Sequence, residues 1–283
     1  MLALIDGDIL VYRIGFTTED VDFNIAAWRM DELLKDILEA VQATEFQIYL
    51  TASNDTTAFR KQVYPEYKGN RKAPRPVHYE KLREYLVAVH GASISTTIEA
   101  DDAIGIDSRN TPNCIIVSID KDLLQIPGKH YNFVKREFKE VNEYEGLYFF
   151  YKQLLMGDKA DNIKGIDGIG EKKAERILNT AEDFTEEEWF RVVREAYGND
   201  AEMLMNGECL WILQKPFPQG TFSSHRLGLT LLPEEVNVQS CSQRQNEDSL
   251  EYGTLETSTD GRCVNGTNPL ENTNPLEEVH LST

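Results

Sequence analysis

The sequence predicts an α/β fold in which a largely parallel sheet occupies the first 142 residues and a helical region and an acidic tail follow. Three observations carry that expectation. Short apolar runs at residues 2–5, 46–50 and 114–118 read as buried strands, and segments of helical spacing lie between them. From residue 143 to about 215 the helical pattern takes over. Residues 234–283 are rich in Ser, Thr, Asn and Glu and carry ten acids against two bases, so they are expected to be disordered. The expected organisation is therefore an α/β core at 1–142 with a basic segment at about 60–90, a helical part at 143–215 and a flexible acidic tail at 216–283.

The elements follow in order. The first run stops at Asp6-Gly7-Asp8, which reads as a turn. Residues 25–42 place Ala26, Met30, Leu33, Leu34, Ile37, Leu38 and Val41 at helical spacing. Residues 77–90 and 100–108 read as helices and 93–97 as extended. Later helices are expected at 144–156, 171–178, 185–197 and 200–213, with the Gly-rich stretch 165–170 between the first two.

The bulk numbers set limits. A chain of 283 residues can bury one large core or two smaller ones. No apolar run approaches the roughly 20 residues that span a bilayer, and the start has no basic segment before an apolar one. A soluble, cytoplasmic chain with no membrane partner is expected. Cys114, Cys209, Cys241 and Cys263 lack metal-ligand spacing and read as free thiols. The net charge of −19 argues against a polyanionic partner. Its distribution reverses that argument, because residues 60–75 hold six bases and one acid, a local balance of +5.

Carboxylates carry the chemistry. Asp6 closes the first strand, where ligands of open α/β sheets bind, although Asp there also serves as a turn former or helix cap. Glu99-Ala100-Asp101-Asp102 gathers three acids at a helix start, where they also complement the helix dipole. Asp120 and Asp122 follow the 114–118 strand, and Asp158 and Asp161 follow a later helix. Clusters of oxygen donors suit magnesium or manganese rather than zinc. Two such ions suit in-line phosphoryl displacement. The histidines (His78, His90, His130, His225, His280) are scattered and read as surface or packing residues.

In their order, Ile5-Asp6-Gly7-Asp8, Tyr67-Lys68-Gly69-Asn70-Arg71, the Glu99 to Asp102 motif, Asp120-Lys121-Asp122, Gly157-Asp158-Lys159-Ala160-Asp161-Asn162 and the glycines at 165–170 form a set. That set resembles the flap endonuclease/5′–3′ exonuclease family, above all bacteriophage 5′-nucleases and the 5′-nuclease domain of bacterial DNA polymerase I. It spans about residues 2–180. The resemblance implies a PIN-like core with a C-terminal helix-hairpin-helix subdomain. It implies a magnesium-dependent 5′–3′ exonuclease or flap endonuclease that hydrolyses DNA phosphodiester bonds from or near 5′ ends, with RNA primer removal in DNA replication as a role. A bacteriophage source would place it in the host cytoplasm. Two magnesium ions are implied, with manganese as a substitute. Asp6, Glu99, Asp101, Asp102 and Asp120 would serve one ion, and Asp122, Asp158 and Asp161 the other. Asp55 fits the family's remaining acid, although its spacing to Phe59-Arg60 is shorter here; Asp8 is left out. Lys68 and Arg71 would be the catalytic cations near the scissile phosphate, with Tyr67 stacking on an unpaired base and Arg13 contacting DNA. Residues 64–90 would form an arch over single-stranded 5′ ends. Gly165, Gly168 and Gly170, with Lys172 and Lys173, would hold the duplex backbone, and the hairpin would bind potassium. DNA with 5′ ends or flaps, RNA–DNA hybrids and a replication protein docked on the acidic tail are the implied partners.

Three rivals use the same residues. A haloacid dehalogenase-type phosphatase could use Asp6 and Asp8 with Thr51, but it leaves the later motifs unexplained. A DNA-binding module without catalysis has no need of the full set of acids. An RNA-cleaving toxin of related core is much shorter and lacks the Gly-rich hairpin.

Overall fold

The computed structural model describes residues 1–53 and 59–227. β1 (Leu2–Asp6) is buried along most of its length, and Asp6 stands at once as the N-cap of α1 (Gly7–Thr17), its side chain accepting from the Ile9 amide. Asp6-Gly7-Asp8 is thus a helix start, not the expected turn. Gly7 is required there, because a Cβ would lie 2.6 Å from Ile48 Cγ2 and 2.7 Å from the Tyr49 carbonyl. α2 (Phe23–Val41) buries Ala26, Met30, Leu34, Ile37 and Val41 on one stripe and ends at Gln42 in the left-handed region.

β2 (Glu45–Thr51) follows, then α3 (Phe59–Val63), α4 (Tyr79–His90), β3 (Ser93–Ser95), α5 (Ala100–Asn110) and β4 (Cys114–Val117). A 3-10 turn (Asp122–Gln125) leads into β5 (Gly128–Asn132) and β6 (Glu137–Val141). Among the described residues, six strands form one sheet in the order β3-β2-β1-β4-β5-β6. The first five are parallel, and β6 closes the edge antiparallel to β5. The β5–β6 hairpin was not expected from the sequence: β6 is largely exposed and lacks the alternation that marks a half-buried strand. The chain leaves β1 for β2 and β3 on one side and returns through β4 on the other. Such a reversal opens a crevice at the carboxyl ends of β1 and β4.

The rest is mostly helical: α6 (Glu143–Met156), a two-stranded turn of β7 (Gly157–Asp158) and β8 (Ile163–Lys164), α7 (Glu171–Leu178), α8 (Glu186–Tyr197), α9 (Asp200–Leu210) and α10 (Phe222–Leu227). α6 is fixed at its start by a reciprocal cap between Asn142 and Glu145. An apolar cluster of Phe150, Tyr151, Leu154, Trp189, Val193, Trp211 and Phe222 holds these helices together. Each such large side chain contributes roughly 1.5–3 kcal/mol on burial.

Two expected boundaries change. α9 ends at Leu210 rather than 213, because residues 211–213 turn back on the α/β core and Ile212 joins a cluster with Leu4, Tyr49 and Ile104. The expected tail begins too early, since Phe217 and Phe222 are buried. The Phe222 and Ser223 amides cap onto buried Glu208. Residue 142 is therefore a change of architecture inside one compact unit that holds all the described residues. The tail proper, with Cys241, Cys263 and His280, lies outside the described residues. Among the described residues no helix is long and apolar enough to cross a membrane.

The arch expected over about 60–90 also changes. Leu82 and Leu86 of α4 are fully buried in the cluster that packs α1 and α2 on the sheet. Arg83 donates to Asp8 at 2.7 Å and to the Thr51 carbonyl. α4 is a core helix tied to the sheet, and the exposed bases of the loop before it are Arg71, Lys72 and Arg75.

Candidate metal centre

Acids from separate segments meet at the carboxyl ends of β1 and β4. Asp6 is 3% exposed and accepts from the Ser118 hydroxyl at 2.8 Å. The same hydroxyl accepts from the Asp120 amide at 3.0 Å, so Ser118 ties the two strand ends together. Asp120 in turn accepts from the Asp122 amide at 2.9 Å. Burial first, then the charge of Asp8, pushes the Asp6 carboxyl up to about 7. Asp101 is raised well above the carboxylate range by burial and by the charges of Asp6 and Asp120. Those shifts place Asp6, Asp101 and Asp120 in one electrostatic neighbourhood.

Asp122, Asp158 and Asp161 form a second. Asp122 is raised to about 7 by burial and then by Asp120, with Asp158 and Asp161 adding to it. Burial also works against the Asp158 carboxylate, but the Ala160 amide at 2.7 Å and Lys121 at 3.3 Å outweigh it and lower its pKa. Between the two neighbourhoods lies a gap of about 20 Å³ whose lining includes Glu99, Asp101, Asp122 and Asp161. That is room for about one water-sized species.

Positive side chains rim the acids. Glu99 receives Lys68, the Tyr67 hydroxyl at 2.8 Å and Arg60 at 3.2 Å. Burial alone would raise it, yet Lys68 and Arg60 hold it down at about 2. Arg71 holds Asp161 at 2.5 Å. The loop at 67–71 is zipped to the loop at 159–162: the Lys68 amide donates to the Asp161 carbonyl at 2.9 Å, and the Asn70 side chain to the Lys159 carbonyl at 2.6 Å. Lys68 and Arg71 also line a cleft of about 410 Å³ with Tyr12, Lys61, Arg75 and Glu99.

The donor set fits divalent cations on chemical grounds. It is all oxygen, and it crowds like charges whose raised pKa values a cation would relieve. Among the described residues no three His, Cys, Asp or Glu side chains already stand in ion-holding geometry. Lys68, Arg71 and Lys121 hold Glu99, Asp161 and Asp158 in this arrangement.

Several expected roles need correction. Asp102 is fully buried, and its oxygens are already taken up by protein donors. It binds Arg60 twice, at 2.6 and 2.7 Å, accepts from the Leu213 amide at 3.0 Å and caps its own helix through the Glu99 amide. Its acceptor capacity is spent on a strut. Tyr67 is 3% exposed with its hydroxyl between Glu99 and Asp161, so its face is not open to a base. Gly165 serves packing, since a Cβ would lie 2.2 Å from Met156 backbone. Gly168 has φ +73° and Gly170 caps α7. Lys172 is exposed, and Lys173 folds back on the Gly168 carbonyl at 2.7 Å. Arg13 is exposed on α1, its guanidinium 6.0 Å from the Phe133 ring. Asp55 lies outside the described residues. Asp8, excluded as a ligand, is held by Arg83 and the Thr51 amide. His78, His90, His130 and His225 bond to structure: the Val21 and Ile126 carbonyls, Asp31 and Glu186.

Sequence reasoning missed Ser118, Lys121 and the buried pair Gln125 and Gln153. A signal existed for Gln153, a polar residue on the face of α6 that buries Phe150 and Leu154. It missed Arg60 as a strut because its partners stand 39 or more positions away.

Comparison with known proteins bears on this geometry. Residues 1–152 match the profile described as 5′–3′ exonuclease, N-terminal resolvase-like domain. The flap endonuclease Xni of Shewanella baltica strain OS195 is 30% identical over 194 residues, covering 62% of this chain and 73% of the relative. The 5′–3′ exonuclease of Mycoplasma pneumoniae is 34% identical over 221 residues, 62% of this chain and 70% of that one. Among solved structures, bacteriophage T5 flap endonuclease in complex with DNA and metal ions superposes with a TM-score of 0.52 at 19% identity, over 74% of this chain and 97% of that one. At that identity the likeness establishes the shared fold.

Proposed function

We infer that this chain, which belongs to the 5′–3′ exonuclease family, is a metal-dependent 5′-nuclease that hydrolyses DNA phosphodiester bonds from or near 5′ ends. The observation that carries the reading is the convergence of Asp6, Asp101, Asp120, Asp122, Asp158 and Asp161 on one crevice beside a basic cleft. Asp6, Asp101, Asp120 and Glu99 would hold one ion, and Asp122, Asp158 and Asp161 the other. Magnesium is the ion assigned, with manganese as a substitute, because the donors are carboxylate oxygens. Bound there, such ions supply the charge that activates water and stabilises the leaving oxygen.

The chain's own groups do the rest. Ser118 fixes Asp6 against Asp120, so the two strand ends keep their spacing. Lys68 and Arg71 stand where acids and cleft meet, so a phosphate entering the cleft encounters both cations. A phosphate that took over their contacts would leave their present partners, Glu99 and Asp161, available to hold an ion. Arg13, Lys172 and Lys173 are exposed cations suited to duplex backbone. Flaps and RNA–DNA hybrids with 5′ ends are the substrates to which this arrangement extends.

Cleavage of a 5′-labelled flap and a 5′-labelled blunt duplex, each with magnesium and with EDTA, tests the reading. Magnesium-dependent release of label is the expected result, and product length separates exonucleolytic from flap cutting. A folded protein that cuts neither substrate would overturn it in favour of a binding module.

A further inference from the structure

We propose that Gln153 is a positioning residue for the reaction: its side-chain amide sets the separation and orientation of Asp122 and Asp158. The inference rests on the metal-centre reading above, because these two carboxylates belong to the second ion site proposed there. Gln153 sits on α6 at 3% exposure. A buried amide is costly unless its hydrogen bonds are made. Here they are made in full. Nε2 donates to Asp122 Oδ1 at 3.0 Å and to Asp158 Oδ2 at 3.2 Å, so one NH2 group bridges two carboxylates from different elements. Oε1 accepts from Gln125 Nε2 at 3.1 Å.

Gln125 fixes which way Gln153 faces. It is 2% exposed, its Nε2 also donates to the Leu210 carbonyl at 2.8 Å, and its Oε1 accepts from the Ile212 amide at 3.2 Å. Turning that amide over would set carbonyl against carbonyl and N–H against N–H. With Gln125 fixed, the Gln153 carbonyl must face it, and the NH2 must face the acids. An amide NH2 only donates, so the Asp122 and Asp158 oxygens opposite it are held as proton-free acceptors. The bridge is neutral and adds no counter-charge that would compete with a cation. Lys121 is different: its ammonium lies 3.3 Å from Asp158 and 3.9 Å from Asp122, but its side chain is 66% exposed and can swing away. The chain from residues 210–212 through Gln125 and Gln153 to the two acids makes the helical part of the molecule a template for the ion site.

The test is Gln153→Met in the full chain, which keeps volume and removes the donors. Manganese affinity is read by electron paramagnetic resonance, and the magnesium dependence of flap cleavage is read beside it, with Asp158→Asn as the benchmark. Ion affinity is expected to weaken about 10–100-fold, and kcat to recover at saturating ion. A kcat lowered equally at every ion concentration, with affinity unchanged, would mean a merely structural role and overturn the proposal. Unchanged affinity in Gln153→Met while Asp158→Asn loses binding also overturns it and leaves the centre standing. Unchanged affinity in both variants removes the centre and the proposal together. If Gln153→Met does not fold, the unmodified chain answers by NMR. The Gln153 side-chain NH2 resonances should shift on magnesium titration with the midpoint of ion binding, and no shift at saturation would overturn the proposal.

Discussion

Asp101 and Asp102 are neighbours in the first turn of α5, and they do opposite work. Asp102 faces Arg60, the Leu213 amide and its own helix cap, and every charge there is answered by a donor. Asp101 faces Asp6 and Asp120, and burial among like charges raises its pKa well above the usual range. The first region is a finished strut that joins the α/β core to the helical part. The second is unfinished as a piece of protein, and the proposed function would complete it with a cation. The difference teaches that burial alone does not mark a functional acid. Within this pair, the acid assigned to the ion is the one that its surroundings do not neutralise.

That contrast can be broken by experiment. The largest effect is expected for Asp120→Asn: cleavage should fall about 10³-fold, or ~4 kcal/mol in the barrier, with DNA binding and folding retained. Single-turnover kinetics check it, and near-normal turnover would take Asp120 out of the centre. Asp102→Asn should do the reverse. It leaves buried Arg60 with Glu99, at 3.2 Å, as its remaining counter-charge and should cost roughly 3 kcal/mol of stability in urea unfolding. Lys68→Ala should lower kcat roughly 10²-fold. A change confined to KM would make Lys68 a binding contact.

A subtler effect sharpens the same comparison through pH. Asp6 and Asp122 are both raised from 3.8 to about 7, so the folded protein binds protons more tightly than the unfolded chain. In EDTA their contribution to stability is fully present below about pH 4 and is lost as pH rises through about 7. The rise in Tm on adding magnesium should therefore grow over that window, and a pH-independent magnesium effect would contradict the assignment. The smallest effect belongs to Arg71→Ala. Its side chain is 57% exposed, so loss of its pair with Asp161 should change stability by less than about 1 kcal/mol while weakening DNA binding.

Much of this was legible in the sequence. The apolar runs at β1, β2 and β4 marked the sheet, and acids standing after β1 and β4 marked the crevice, because strand burial and strand ends are local properties. The motifs in order pointed to the family. What was not legible depends on partners far along the chain. Asp101 and Asp102 look alike in sequence, and Arg60 decides between them from 42 positions away. Tyr67 read as an open ring because its neighbours are basic and polar, whereas Glu99 and Asp161 draw its hydroxyl inward. Residues 79–90 read as part of an exposed arch, yet the stripe of Leu82 and Leu86 belongs to the core. Asp55 and the tail after 227 lie outside the described residues.

The most direct test is a manganese titration of the unaltered chain, Asp101→Asn and Asp102→Asn, followed by electron paramagnetic resonance and paired with a melting curve for each. The account predicts that Asp101→Asn loses ion affinity and melts no earlier, or later, in EDTA, while Asp102→Asn keeps ion affinity and melts earlier. Ion binding lost in Asp102→Asn and kept in Asp101→Asn would contradict it.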